Sequence, residues 1–527
     1  MAYYKDLREY IKALEANNKL VRIRREINKD TEAMPLVRCQ FRGLPEAERK
    51  AFLFENVVDV KGKKYDIPLL VASHAASRDV YAIGMMCKPQ EIMEKWTQAQ
   101  LHPVEPRVVA SGPVQDEVHL GENLLEHGGL EEFPIPISTP GFDNAPYLSG
   151  ANWVSKDPET GIYNVGTYRG MVKSKNRLGI NLAPNQHLRL HWEKCQAKGI
   201  ALQVAVIIGA TPNIGFVSST KVPYGTSEYA VVGGIAGEPV ELVKCKAVDI
   251  EVPATAGIVI EGEMPTDCME REAPFGEYTG YMGLKDIMPF LNVTCITHRK
   301  DAIFNAFLSQ FPPSESSMLR KIGFEANMYQ FLKQHCNLPG VLDVAFHEES
   351  GVNGFCVIRM KKTHPTQPWH ALKAAVAYSD FLAKFVVVVD EDIDARNIDS
   401  VLWALCYRVQ PHRDTQIIKG GKLSLDISIA NIELPPTELD EAFGSSLLID
   451  ATLKWKYPPV SLPKKEIMEK AVKIWEEEGL PALTLKTPWY GYPLGYWTKE
   501  DKEEAELALN GEHYQTGEKL ARQRVKL

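Results

Sequence analysis

Phe133-Pro-Ile-Pro-Ile-Ser-Thr-Pro140 separates two kinds of sequence pattern. Three prolines in eight residues fix φ and remove backbone donors, so this stretch is neither a helix interior nor a central strand. Downstream, apolar runs at 151–155, 165–173, 201–208, 240–245 and 257–261 are punctuated by Gly and Pro, which predicts short strands in a barrel or sandwich. Upstream, helical periodicity at 7–16 and 89–99 mixes with strand-like runs at 51–55 and 69–72, which predicts a small α/β unit. After about residue 312 the period changes again, to a helix at 317–335, a strand ending in Phe385-Val-Val-Val-Val-Asp390 and a helix at 399–407. A charged amphipathic helix at 464–478 precedes Pro488-Trp-Tyr-Gly-Tyr-Pro-Leu-Gly-Tyr-Trp497, and so many aromatics in a turn-rich segment predict a covered surface.

A chain of 527 residues is long enough for two to four domains. With 45% hydrophobic and 24% charged residues it reads as a soluble globular protein, not as a fibre or a disordered chain. Sixty bases against 68 acids leave a net charge of −8 with no concentrated basic stretch, which disfavours nucleic acid as a partner. Nine cysteines without any C-x-x-C pair suggest neither a disulfide framework nor a zinc ribbon, and point to a reducing cytoplasm. The opening residues read as an amphipathic helix without a signal peptide's apolar region, and the longest apolar runs are too short to cross a bilayer, so no membrane partner is expected.

The densest polar constellation is Arg271-Glu-Ala-Pro-Phe-Gly-Glu277-Tyr-Thr-Gly-Tyr281. Two carboxylates bracket a predicted A-P-F-G turn in which Gly276 permits close backbone approach, so both can face one cavity and divide labour as ion and general acid. The plain alternative is a pair of solvated loop acids. A second set comprises Asn164-Val-Gly-Thr-Tyr-Arg169, Gln186-His187, and Ser218 through Glu228. Amide oxygen, imidazole and carboxylate together suit Mn²⁺, Mg²⁺ or Fe²⁺. His187 and His191 as an i, i+4 pair are a rival metal site, and Asp390-Glu-Asp-Ile-Asp394 is another, more simply read as a strand-to-helix loop. No P-loop or Rossmann glycine pattern is present.

Taken in order, Asn164-x4-Arg169-Gly170, Gln186-His187, Ser227-Glu228, Glu272-x-Pro-Phe-Gly-Glu277 and Gly444-Ser-Ser-Leu-Leu-Ile-Asp-Ala-Thr-Leu-Lys454 resemble the UbiD-like (de)carboxylases, and the resemblance spans nearly the whole chain. It implies a multidomain α/β (α+β) fold: an N-terminal α/β domain (1–117), a central flavin-reductase-like split β-barrel (118–312), a C-terminal α/β oligomerisation domain (313–480) and a tail (481–527). It implies prenylated FMN as cofactor, a divalent metal on Asn164, His187 and Glu228, and K⁺ near Val217, Ser218, Thr220 and Glu228. Ser149, Asn164, Gly166, Thr167, Tyr168, Arg169, Gln186, His187 and Glu228 would line the flavin, with Lys384 on its phosphate. Arg169, Glu272 and Glu277 would form the catalytic network, with Glu277 as proton donor. The implied reaction is reversible, non-oxidative decarboxylation of a free (hydroxy)benzoate-type acid or an aryl-CoA ester such as phthaloyl-CoA, releasing CO₂. The second anion of such a substrate could meet Arg320 or Lys321. Implied partners are a flavin prenyltransferase as cofactor supplier and further copies of the chain in a homodimer or homohexamer. The rival reading is a non-catalytic or assembly subunit of a multi-subunit carboxylase.

Overall fold

The computed structural model describes residues 2–184, 186–272, 274–352, 354–379, 382–421, 426–429 and 444–523. Asn185 and Ala273, which belong to the two polar motifs, lie outside the described residues. The chain forms a multidomain α/β fold around three main sheets.

The N-terminal sheet runs in the order Leu20–Asn28, Ala51–Val58, Leu69–Val71, Phe304–Ala306. Its last member comes from far along the chain and pairs in parallel with Leu69–Val71, so the barrel region reaches back into the first sheet. Helix Leu7–Ala16 buries Leu7, Tyr10, Ile11 and Leu14 on one face, the 3.6-residue spacing of an amphipathic helix, and Asp6 caps its first turn by accepting from the Arg8 and Glu9 N–H groups.

The central sheet has nine strands. Its main path runs Tyr147–Leu148, Gly170–Ser174, Arg177–Ile180, Phe290–His298, Ile258–Met264, Leu202–Ile208, Asn152–Lys156, Tyr163–Thr167, and Glu117–Leu120 adds to the far half of Phe290–His298. Strand Tyr163–Thr167 ends this path and Gly170–Ser174 lies next to its other end, yet two residues join them. Such a link spans at most about 11 Å between its flanking Cα atoms, so the sheet must curl until its ends approach. The single strand expected at 165–173 is therefore two strands, broken at Tyr168-Arg169.

In the C-terminal sheet, Phe355–Met360, Phe385–Asp390 and Gly444–Ala451 are parallel, flanked by antiparallel Val341–Phe346 and Thr415–Gly421. Val386 and Val388 join one apolar cluster with Ala371, Leu372 and Ala375 of helix Gln367–Tyr378. Val387 and Val389 join another with Val401 and Ala404 of helix Ile398–Arg408. The continuous valine run is thus a strand buried on both faces, as parallel sheets require. The following tail carries helices Lys465–Glu477, Lys499–Leu509 and His513–Arg522, none with a buried residue. Its aromatic stretch is tied to the C-terminal sheet where Tyr492 donates to Asp392 at 2.7 Å. No helix among the described residues is long and apolar enough to cross a membrane.

Candidate active site

The break in the curled sheet places Arg169 at the mouth of the central unit. The Trp153 indole N–H donates to the Tyr168 carbonyl at 2.9 Å and fixes the backbone of the break. Opposite, strand Glu270–Glu272 pairs with Asp286–Met288, and Phe275–Gly276 pairs with Met282–Gly283. Phe275 and Gly276 are thus extended, and the tight turn falls one step later: the Glu277 N–H donates to the Tyr281 carbonyl and the Gly280 N–H to the Glu277 carbonyl, both at 3.0 Å. The A-P-F-G turn expected from sequence is replaced by a short hairpin because ladder bonds satisfy this backbone. Close approach is still what its glycines provide. A Cβ on Gly276 would lie 2.2 Å from Thr139 Oγ1, and one on Gly283 would lie 2.8 Å from Arg169 Nη1.

This folding brings Arg169, Glu272 and Glu277 together across more than a hundred residues of sequence. Arg169 donates from Nε to Glu272 Oε1 at 2.9 Å and from Nη2 to Glu272 Oε2, a two-pronged pairing, while Nη1 donates to Glu277 Oε1. Burial works against the guanidinium charge, but the two carboxylates outweigh it and raise the Arg169 pKa. The acids differ in placement. Glu272 is fully buried behind Arg169, and both its oxygens face donors, since the Tyr147 hydroxyl also reaches Oε1 at 2.9 Å. Burial raises the Glu272 pKa, and Arg169 and the Tyr147 hydroxyl offset that only in part. A proton added to Glu272 would meet donors, not acceptors. Glu277 instead lies on the wall of a cavity shared with Ser149, Arg169, Phe275, Phe307 and Leu319.

That cavity shares Thr167, Tyr168, Ala183, Gln186, Ser219, Tyr278 and Arg320 with a second one, whose far end holds Asn164, His187, Ser218, Thr220 and Glu228. Gln186 and His187 open helix His187–Lys198, and Glu228 opens Glu228–Ala236. The Glu228 Oε2 atom accepts the Val165 N–H at 3.1 Å, and Oε1 stands 3.8 Å from His187 Nδ1. Beside them the Asn164 amide nitrogen is buried without a hydrogen-bond partner. Rotating that amide by half a turn presents its oxygen instead, so an oxygen, an imidazole nitrogen and a carboxylate can converge on one hard cation. Ser149 lines the other half, its hydroxyl donating to the Phe307 carbonyl at 2.8 Å.

Other expected residues are placed differently. Lys384 is not brought to this cavity: its ammonium pairs with Asp426 at 2.9 Å and Ser428 at 2.6 Å on the wall of a separate cleft. A salt link to Asp426 engages the lysine there. Val217 is buried in the apolar core, its carbonyl accepting the Thr220 N–H at 3.0 Å, and the Thr220 hydroxyl donates to the Phe216 carbonyl at 2.9 Å. His191 turns to the Ser155 hydroxyl at 2.9 Å, and burial lowers its pKa to about 4, so the i, i+4 histidine pair does not converge. Asp390 and Asp392 are engaged by Arg408, at 3.1 and 2.6 Å. Lys321 faces Glu325 at 3.6 Å, whereas Arg320 lines both cavities with its guanidinium 4.6 Å from the Tyr278 ring centre.

Two residues of the site were missed. Tyr147 orients Glu272, and Asp143 accepts the Thr139 N–H at 2.6 Å and the Gly276 N–H at 3.1 Å, stapling the acidic hairpin to the proline segment. Burial raises the Asp143 pKa to about 6. An Asp three residues after Pro140, in a Pro-Gly-Phe-Asp turn, was the available signal.

Comparison with known proteins agrees with this geometry. The 3-octaprenyl-4-hydroxybenzoate carboxy-lyase N-terminal domain matches residues 11–100, its Rift-related domain 107–311 and its C-terminal domain 317–451. An uncharacterised protein of Aquifex aeolicus (strain VF5) is 33% identical over 512 residues, covering 90% of this chain and 99% of its own length. The UbiD-class enzyme HmfF from Pelotomaculum thermopropionicum, solved in complex with FMN, is 30% identical with a TM-score of 0.75, over 89% of this chain and 99% of that one. An evolved dimeric form of it, in complex with prFMN, is 30% identical with a TM-score of 0.74, over 87% and 97%. The closed form of Sedimentibacter hydroxybenzoicus vanillic acid decarboxylase is 26% identical with a TM-score of 0.78, over 90% and 100%. With its sheet order, its paired acids and these matches along almost its full length, the chain belongs to the UbiD family of carboxy-lyases.

Proposed function

We propose that the protein is a reversible, non-oxidative decarboxylase of an aromatic carboxylic acid that uses prenylated FMN. The observation carrying this reading is a pair of adjoining cavities with shared walls, one against the Arg169-Glu272-Glu277 network and the other holding Asn164, His187 and Glu228. The complexes of HmfF with FMN and prFMN support the cofactor, and the vanillic acid decarboxylase supports the substrate class.

In this reading Asn164, His187 and Glu228 hold Mn²⁺, Mg²⁺ or Fe²⁺ against the cofactor phosphate, and the Val217 carbonyl, Ser218, Thr220 and Glu228 serve K⁺. Ser149, Gly166, Thr167, Tyr168 and Gln186 line the flavin; Lys384 is left out. When bound, the cofactor supplies an acceptor for the electron pair of the breaking carbon–carboxylate bond. Arg169 uses three of its five N–H groups on the two acids, which leaves two to hold and orient the substrate carboxylate. Glu272 keeps the guanidinium plane in place. Glu277, at the cavity wall, delivers a proton to the carbon that loses CO₂. Phe275, Phe307 and Leu319 give that end an apolar wall suited to a flat ring and exclude water. Arg320 is placed to meet a second anionic group, so aryl-CoA esters belong beside free acids among the substrates tested.

The test is to produce the protein together with a flavin prenyltransferase, record its visible absorbance, and measure CO₂ release from free aryl carboxylates and aryl-CoA esters. Flavin-like absorbance with turnover of at least one of them is expected. A colourless protein inactive on every one would overturn the proposal in favour of a non-catalytic subunit.

A further inference from the structure

On the barrel side of the proline segment, away from the cavity, three histidines surround one carboxylate. His119 lies in strand Glu117–Leu120, His127 caps the end of helix Glu122–Glu126, Glu132 ends the short helical turn Gly129–Glu132, and His298 closes strand Phe290–His298. The ligand atoms of His119, His127 and Glu132 all lie within 4.8 Å of one another. His119 Nδ1 is 3.0 Å from Glu132 Oε2, and His298 Nε2 is 3.3 Å from Glu132 Oε1. Two donors, each 2.0–2.1 Å from a tetrahedral zinc ion, stand roughly 3.3 Å apart, so these separations are those of ligands sharing one ion.

His298 is the second, independent observation. Its Nδ1 faces the Arg299 carbonyl at 2.8 Å, so Nε2 is the nitrogen turned toward the carboxylate. That nitrogen is buried and makes no hydrogen bond. The His298 side chain is 10% exposed. Facing a carboxylate oxygen, that nitrogen needs a positive centre between the two, which a proton or a shared cation supplies. The His119 and His127 rings stack with centres 3.8 Å apart.

We propose that His119, His127, His298 and Glu132 form a structural site for Zn²⁺ or a similar borderline divalent ion, separate from the cavity. Three imidazoles and one carboxylate supply all four ligands from the protein, the pattern of a closed zinc site, and no cysteine is needed. The ion would pin the segment 117–132 to the end of strand Phe290–His298. That segment runs directly into the proline stretch and on to Asp143, which anchors the hairpin of Glu277.

The experiment titrates Co²⁺ into chelator-treated full-length protein, with Glu228→Gln and His127→Ala in parallel, and follows the melting temperature with added Zn²⁺. Wild type and Glu228→Gln are expected to develop the visible absorption of four-coordinate Co²⁺ and to melt higher with Zn²⁺. His127 is exposed, so His127→Ala costs no core packing. Even outer partners of a metal ligand are worth 10–100-fold in affinity, so losing a ligand should weaken this site by about a hundredfold or more. Absence of the band in wild type, its loss in Glu228→Gln, or equal affinity in His127→Ala would each overturn the proposal; in the first case the four groups share protons alone.

Discussion

Replacing Glu277 by Gln separates proton delivery from everything else the acid does. The Gln side chain keeps an oxygen for Arg169 Nη1, and the two bonds from Arg169 to Glu272 and the Tyr147 bond to Glu272 are untouched. A protonated Glu277 and a Gln carry the same charge, so the electrostatics around Arg169 do not change in the state that reacts. Arg169 keeps its two-pronged bond to Glu272, so the protein should stay folded and its flavin content should match wild type. What is lost is the proton. A positioned general acid contributes roughly 10²- to 10⁴-fold, or about 3–5 kcal/mol of barrier. The assay is exchange with D₂O of the ring proton that replaces the carboxylate in the decarboxylated product, catalysed by cofactor-loaded enzyme, because it isolates proton transfer at the carbon that exchanges CO₂. Glu272→Gln is the contrast: it strips Arg169 of its two-pronged partner and should lower stability as well as activity. If Glu277→Gln exchanged at the wild-type rate, the placement of the two acids relative to the cavity would be the wrong criterion, and the donor would be Glu272 or a water.

Glu325 should stabilise the protein in a pH-dependent way. Burial would raise its pKa, but Arg396, Lys321 and Arg78 together lower it to about 2 from 4.5. A depressed carboxyl contributes stability that is fully present above 4.5 and is lost as pH falls toward 2, so thermal melting of Glu325→Gln should show a deficit of about 3 kcal/mol at neutral pH that vanishes on acidification. A gap that persists unchanged at pH 2 would contradict this. Light scattering should give a homodimer or homohexamer, because helix Lys465–Glu477 buries no residue and leaves Ile467 and Ile474 40% and 49% exposed; a stable 59.0 kDa monomer at micromolar concentration would contradict that.

What could be read from sequence depended on the range of the interaction. Helix Leu7–Ala16 announces itself because one buried face imposes a local period. The valine run 385–389 is equally legible once a strand buried on both faces is allowed. The break at Tyr168-Arg169 is not, because its residues suit a strand and nothing nearby says that the sheet must curl there. The placement of Lys384 is illegible for a related reason. A lysine at the start of a strand takes whichever anion the fold brings near, and here that is Asp426 from the segment beyond the next strand. Asp143 and Tyr147 carry ordinary turn and strand identities, and acquire a role only when the hairpin 270–288 folds over them.

The same reasoning explains why the catalytic residue types were visible while their geometry was not. An arginine and two acids a hundred residues apart have no local signature, and as isolated side chains each is better solvated in water than buried. Burying all three is tolerable here because the curled sheet presents Arg169 at its break, and the Glu270–Glu272 strand brings Glu272 behind it with both oxygens already facing donors. Glu272 therefore neutralises Arg169 structurally, and Glu277, held by a single guanidinium nitrogen at the cavity wall, is the acid to which the proposed function assigns the proton. The division of labour between the two carboxylates follows from which of them the fold surrounds.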